Sequence, residues 1–147
     1  MNKRNYQKEL DKIIADLDGS VPTLFLHSCC APCSSYVLEY LAEYFEITVF
    51  YYNPNIYPPE EYEKRVEELQ RLMENLPVKN PLHFVNGRYD PREFYQAVKG
   101  LEGIPEGGER CFACYELRMR LLKKGEKLIL IDFFVQIDYI TLRVKVC

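Results

Sequence analysis

Two apolar periods alternate along this chain, and the switches between them divide it into elements. Tyr6, Leu10, Ile13 and Leu17 recur at steps of four, three and four, which is one face of a helix that Gly19 stops. Val21 to His27 is a short apolar run and predicts a buried strand. Pro32 suits the first turn of the next helix, where a missing N–H costs nothing. Val37, Leu38, Leu41, Tyr44 and Phe45 give that helix its apolar face. Ile47 to Tyr52 predicts a second strand, ended by the turn-forming Asn53-Pro54-Asn55. Pro58-Pro59 precedes a helix with Tyr62, Val66, Leu69, Met73 and Leu76 on one face, and Leu82 to Val85 predicts a third strand. Asp90-Pro91-Arg92-Glu93 reads as an N-cap, a first-turn proline and an acid at the third helical position. The helix it opens runs to Lys99 and stops at Gly100. A glycine-containing loop leads to Cys111, and a last helix ends near Lys124, with Gly125 as its stop. Lys127 to Val146 is β-prone.

Strands alternating with helices predict an α/β domain with a parallel sheet. In such sheets ligands bind outside the carboxyl ends of the strands. Here those ends are Cys29–Cys33, Asn53–Asn55 and Asn86–Asp90, so the chemically interesting residues fall on one rim. Residues 1–124 form this domain and 125–147 an atypical tail of the same domain, with no internal repeat.

Composition narrows the function. With 147 residues, 48% of them hydrophobic, the chain suffices for one domain with a real core. A net charge of −3 argues against broad electrostatic capture of duplex nucleic acid and leaves room for a local basic patch. The longest apolar candidate for a membrane span, Leu128 to Ile140, is broken by Asp132, Gln136 and Asp138. The polar start Met1-Asn2-Lys3-Arg4-Asn5 is unlike a secretory signal. Both point to the cytoplasm, whose redox state disfavours structural disulfides, so that clustered cysteines read as metal-binding or catalytic.

Such a cluster dominates the sequence. His27-Ser28-Cys29-Cys30-Ala31-Pro32-Cys33 follows the first strand, and Cys111-Phe112-Ala113-Cys114 opens the last helix. Cysteine is too small to build a core by itself, and thiolates in tight groups suit a metal or cluster that wants sulfur. Helix N-termini favour the thiolate form at both places. Three chemistries remain open. Iron–sulfur ligation uses all five thiols. A four-cysteine zinc site matches Cys30-x-x-Cys33 with Cys111-x-x-Cys114, but the usual gap between such halves is roughly 15–20 residues. Here residues 34–110 intervene and Cys29 is left over. A redox C-x-x-C explains one pair only. His27 suits a packed or hydrogen-bonded role as well as a ligand, and His83, on a short strand, is expected to be exposed. Arg110 and Arg118 share a helix face with Cys114, which suits either solvent or a charged cluster or phosphate. No Ser-His-Asp set, phosphate-cradling glycine loop or catalytic carboxylate pair stands out.

Taken in order, these motifs resemble the QueH family of epoxyqueuosine reductases. The resemblance rests on His27 to Cys33, Tyr52-Asn53-Pro54-Asn55-Ile56, Glu61-Tyr62 with Arg65, and Tyr89-Asp90. It continues through Val98-Lys99-Gly100-Leu101-Glu102 and Pro105 to Cys114. It implies a Rossmann-like fold related to the adenine nucleotide α-hydrolases. The implied activity is reduction of the epoxide on the modified wobble nucleoside of tRNA, the last step of queuosine synthesis. A [4Fe–4S] cluster, a second iron and an electron donor of unknown identity are implied with it. Carried over by position, Cys29, Cys30, Cys111 and Cys114 hold the cluster, and Cys33 serves the second iron as the catalytic residue. The nucleoside lies over the rim, stacked on Tyr52, Tyr57 or Tyr89, with Asn53, Asn55 and Arg110 as further substrate contacts. Past Arg120 the likeness is expected to stop, because the family's later strand, helix and closely spaced cysteine pair find no counterpart before Cys147. The C-terminal part therefore reads as truncated or altered. The chain is expected to assemble its metal site but to turn over poorly.

Overall fold

The structure is a computed structural model, and it describes residues 5–124. Five helices and three strands alternate among the described residues: α1 Tyr6–Ala15, β1 Thr23–His27, α2 Ala31–Leu41, β2 Glu46–Tyr51, α3 Pro59–Asn75, β3 Leu82–Asn86, α4 Pro91–Ala97 and α5 Glu109–Lys124. The strands form one parallel sheet in the order β1-β2-β3. Thr23 to His27 pair with Glu46 to Phe50, and Ile47 to Tyr51 with Leu82 to Asn86. This is the expected Rossmann-like α/β arrangement of a parallel sheet with flanking helices.

The sheet is anchored through one face. Leu24 and Leu26 of β1 and Ile47, Val49 and Tyr51 of β2 are buried, and they join one core with Leu10 of α1, Leu38 and Leu41 of α2 and Tyr62, Val66 and Leu69 of α3. Strand side chains alternate between faces, so this set is the register that puts every second residue inward. On the opposite face Phe25 stacks on Phe50, with ring centroids 5.3 Å apart, and Phe50 on Tyr52 at 6.0 Å. Among the described residues β3 pairs with β2 alone, and its His83 is exposed as expected, paired with Glu46 at 2.8 Å.

Element ends differ from the sequence reading by a few residues. α2 stops at Leu41, because Ala42 caps it and the chain turns, so Tyr44 and Phe45 pack from the turn rather than from the helix. The helix from Pro91 ends at Ala97 instead of Lys99, with the N–H of Leu101 closing a turn onto Val98 and Gly100 at φ +85°. The Asp90 cap is as the sequence predicts, its side chain accepting from the Arg92 N–H, and the structure adds a second cap, Asn5, which accepts from the Lys8 N–H at 3.1 Å. The β-prone stretch Lys127 to Val146 falls outside the described residues. No described helix is long and apolar enough to cross a membrane.

Candidate metal centre

β1 ends at His27 and α2 begins at Ala31, so Cys29 and Cys30 occupy the turn between them and Cys33 the first turn of the helix. The turn is held from four sides. The Ser28 N–H donates to the Phe50 carbonyl at 3.2 Å. Asn53 Nδ2 donates to the Ser28 carbonyl at 2.8 Å, and Tyr51 Oη to the Cys29 carbonyl at 3.3 Å. The Ser28 and Ser34 hydroxyls lie 2.5 Å apart, tying the turn to α2. These serines escaped sequence reasoning, since a Ser–Ser pair six residues apart carries no periodic signal.

The sulfur atoms of Cys29, Cys30 and Cys33 lie within 4.8 Å of one another and can hold a metal ion. Cys29 and Cys30 are 3.9 Å apart, sulfur to sulfur. Thiolates bound at about 2.3 Å to one tetrahedral ion stand roughly 3.8 Å apart, so the Cys29–Cys30 pair has the spacing of two ligands to one ion. The Cys29 thiol donates to Cys30, which lowers the Cys30 pKa and, with burial, raises that of Cys29. One sulfur of the pair is therefore poised as a thiolate while the other keeps its proton.

His27 is buried, and its Nε2–H donates to the Tyr52 carbonyl at 2.9 Å. Burial first, then the nearby charge of Arg118, lower its pKa to about 3, so the imidazole is neutral. Its hydrogen bond is the packed role allowed by the sequence.

The second cysteine pair stands outside the close trio. Cys111 lies in the first turn of α5 and is partly exposed; Cys114 is buried. The Gly107 N–H points at the Cys111 sulfur at 3.2 Å from a glycine at φ +84°, a conformation other residues rarely adopt. Burial raises the Cys114 pKa, against the opposing charge of Arg118. Arg118 links the two groups. Its Nε donates to the Cys114 carbonyl and its Nη1 to Asn53 Oδ1, each at 3.4 Å. Asn53 in turn holds the turn that carries Cys29.

The expected substrate contacts divide sharply. Tyr52 and Asn53 are each 1% exposed. The Tyr52 hydroxyl bonds Glu93, and both Asn53 side-chain atoms are engaged. At the carboxyl end of β2 these two side chains turn into the protein. Tyr57 is 68% exposed. Tyr89 is half-buried, stacked on Tyr62 at 4.0 Å, its hydroxyl donating to the Ile56 carbonyl. Asn55 Oδ1 is buried with no hydrogen-bond partner among the described residues. Arg110 is half-buried, and its charge acts on Cys114.

A parallel α/β sheet with a thiol-lined turn at its carboxyl rim defines an α/β protein whose clustered sulfurs could hold a metal. A family model described as "Epoxyqueuosine reductase QueH" matches residues 24–135, and the chain belongs to that family. The match extends past Arg120, correcting the expectation that the likeness ends there. A relative from Staphylococcus epidermidis named epoxyqueuosine reductase QueH is 40% identical over 129 residues, covering 84% of this chain and 54% of its own length. One of the same name from Streptococcus pyogenes is 37% identical over 121 residues, 80% of this chain and 48% of the relative. Another from Haemophilus influenzae is 44% identical over 96 residues, 65% of this chain and 38% of the relative. The chain spans about half the length of the curated relatives it matches.

Proposed function

We propose that this chain carries the metal-binding part of an epoxyqueuosine reductase acting on tRNA in the cytoplasm. The reaction takes the epoxide of the modified wobble nucleoside to an alkene, consuming two electrons and two protons and releasing water. The observation that carries the reading is the sulfur trio at the strand-end rim in a chain whose relatives bear this name.

The donor set suits iron–sulfur chemistry, being all thiol, placed at helix starts, with a backbone N–H aimed at one sulfur. Cys29, Cys30, Cys111 and Cys114 would hold a [4Fe–4S] cluster, and Cys33 would serve a second iron as the catalytic residue. Bound there, these centres supply single electrons and a Lewis acid for the epoxide oxygen. The chain's own residues orient and exclude. Asn53, Ser28 and Ser34 fix the cysteine turn, and neutral His27 packs beneath it without adding charge. Tyr57 offers an exposed ring to a base, Tyr89 and Asn55 line the adjoining turn, and Arg110 supplies a cation for phosphate. The electron donor is a separate partner.

A zinc site is the second reading, because the 3.9 Å Cys29–Cys30 separation also suits one tetrahedral ion. Metal analysis after anaerobic purification decides between them. Iron with acid-labile sulfide, lost in Cys111→Ala and kept in Cys147→Ala, is expected. One zinc without sulfide would sink the reductase reading, and no metal at all would favour a thiol redox protein. A single-turnover assay on epoxyqueuosine-containing tRNA with a strong chemical reductant then tests the activity.

A further inference from the structure

Arg118 is 7% exposed. A guanidinium stays charged at any pH the fold survives. Taking it out of water is costly unless an anion offsets the loss. Among the described residues, the arginines with carboxylate partners are all more accessible: Arg65, Arg88, Arg92 and Arg120 have side chains 38%, 75%, 85% and 70% exposed. The buried one has no carboxylate within ion-pair distance among the described residues. Its neighbours are two oxygens at 3.4 Å, both dipoles, and the Tyr115 ring, 4.6 Å from its central carbon. Its two bonds tie it to both cysteine segments, directly to the Cys114 backbone and, through Asn53 and the Ser28 carbonyl, to the turn that carries Cys29.

We infer that Arg118 is a positioning residue of the metal centre, the buried counter-ion to the negative charge that Cys29 and Cys114 bring to a bound metal. Through Asn53 it is also the strut that joins α5 to the β1–α2 turn. The inference rests on the metal-binding reading above. Several thiolates around one metal or cluster leave an excess of negative charge, and outer partners of ligands set both affinity and potential. A fixed cation beside them favours the loaded state over the empty one, and the reduced state over the oxidised.

The test uses the full chain with Arg118→Gln and Arg118→Lys. Apo protein is titrated with Co2+, read by the sulfur-to-metal charge-transfer band. Anaerobically reconstituted protein is titrated for its midpoint potential. Arg118→Gln is expected to weaken Co2+ binding on the order of tenfold or more and to move the potential to a more negative value, while Arg118→Lys restores most of both. Unchanged Co2+ affinity and potential in Arg118→Gln overturn the inference, as does a lysine variant no better than the glutamine one. If Arg118→Gln fails to fold by circular dichroism, Arg118→Lys decides alone. It keeps the charge without the fork to Asn53, so retained affinity supports the inference and a tenfold loss overturns it. Should the protein load zinc without sulfide, the reductase reading falls, while the Co2+ arm still judges Arg118.

Discussion

Single residues decide how closely the rim can be built. Gly87 follows β3, and a Cβ there would stand 2.9 Å from Tyr52 Cβ and 3.0 Å from the Tyr51 carbonyl oxygen. Neither atom is the end of a flexible side chain, so backbone must shift. Gly87→Ala is expected to lower stability by about 1–3 kcal/mol, checked by chemical denaturation; a midpoint equal to wild type would show that the β2–β3 rim relaxes freely. Tyr57 poses the opposite case, a large ring with little packing to lose. Its replacement by Ala should leave melting temperature and metal content alone while weakening tRNA binding, since stacking is worth roughly 1–3 kcal/mol per base. Unaltered tRNA affinity would remove Tyr57 from the substrate surface.

At the scale of elements, α2 does two jobs. Its first turn presents Cys33, and its inner face seats Leu38, which is fully buried, against the sheet. Leu38→Ala is expected to cost about 2–5 kcal/mol, the range for emptying a packed core position. It should loosen the cysteine turn along with the helix, so urea unfolding and thiol-alkylation protection ought to fall together. Loss of stability with unchanged protection would mean that Ser28, Asn53 and Tyr51 hold the turn without the helix. α4 and α5 have a different basis. α4 buries none of its own residues, and α5 is tied to the loop after β2 by the Arg118–Asn53 bond.

Across the whole molecule, a metal bound by both cysteine segments would cross-link the β1–α2 turn to α5, contacts the unfolded chain lacks. Binding free energy then adds to folding free energy. Loaded protein should melt higher than protein stripped anaerobically by a chelator, by about 2–4 °C for each kcal/mol gained. Hydrogen exchange should slow in α5 as well as in α2. Protection gained in α2 alone would place the metal on Cys29, Cys30 and Cys33 without the second pair.

The apolar periods of α1, α3 and the three strands, the cap Asp90, and the placement of the two cysteine groups at a strand end and at helix starts followed from sequence. These are local properties, set by the 3.6- and 2-residue spacing of side chains and by the needs of helix ends. The family, too, was legible, since its motifs are runs of neighbouring residues. Tertiary structure decided what depends on direction. Tyr52 and Asn53 follow β2 just as Asn55 does, yet their side chains turn inward, because packing against Phe50 and Glu93, and bonds to Ser28 and Arg118, are long-range contacts. The same holds for Arg118. Helical spacing put it on one face with Cys114, but only the docking of α5 on the rim removed it from water. A charge becomes significant by what surrounds it, and that is fixed by residues far away in the chain.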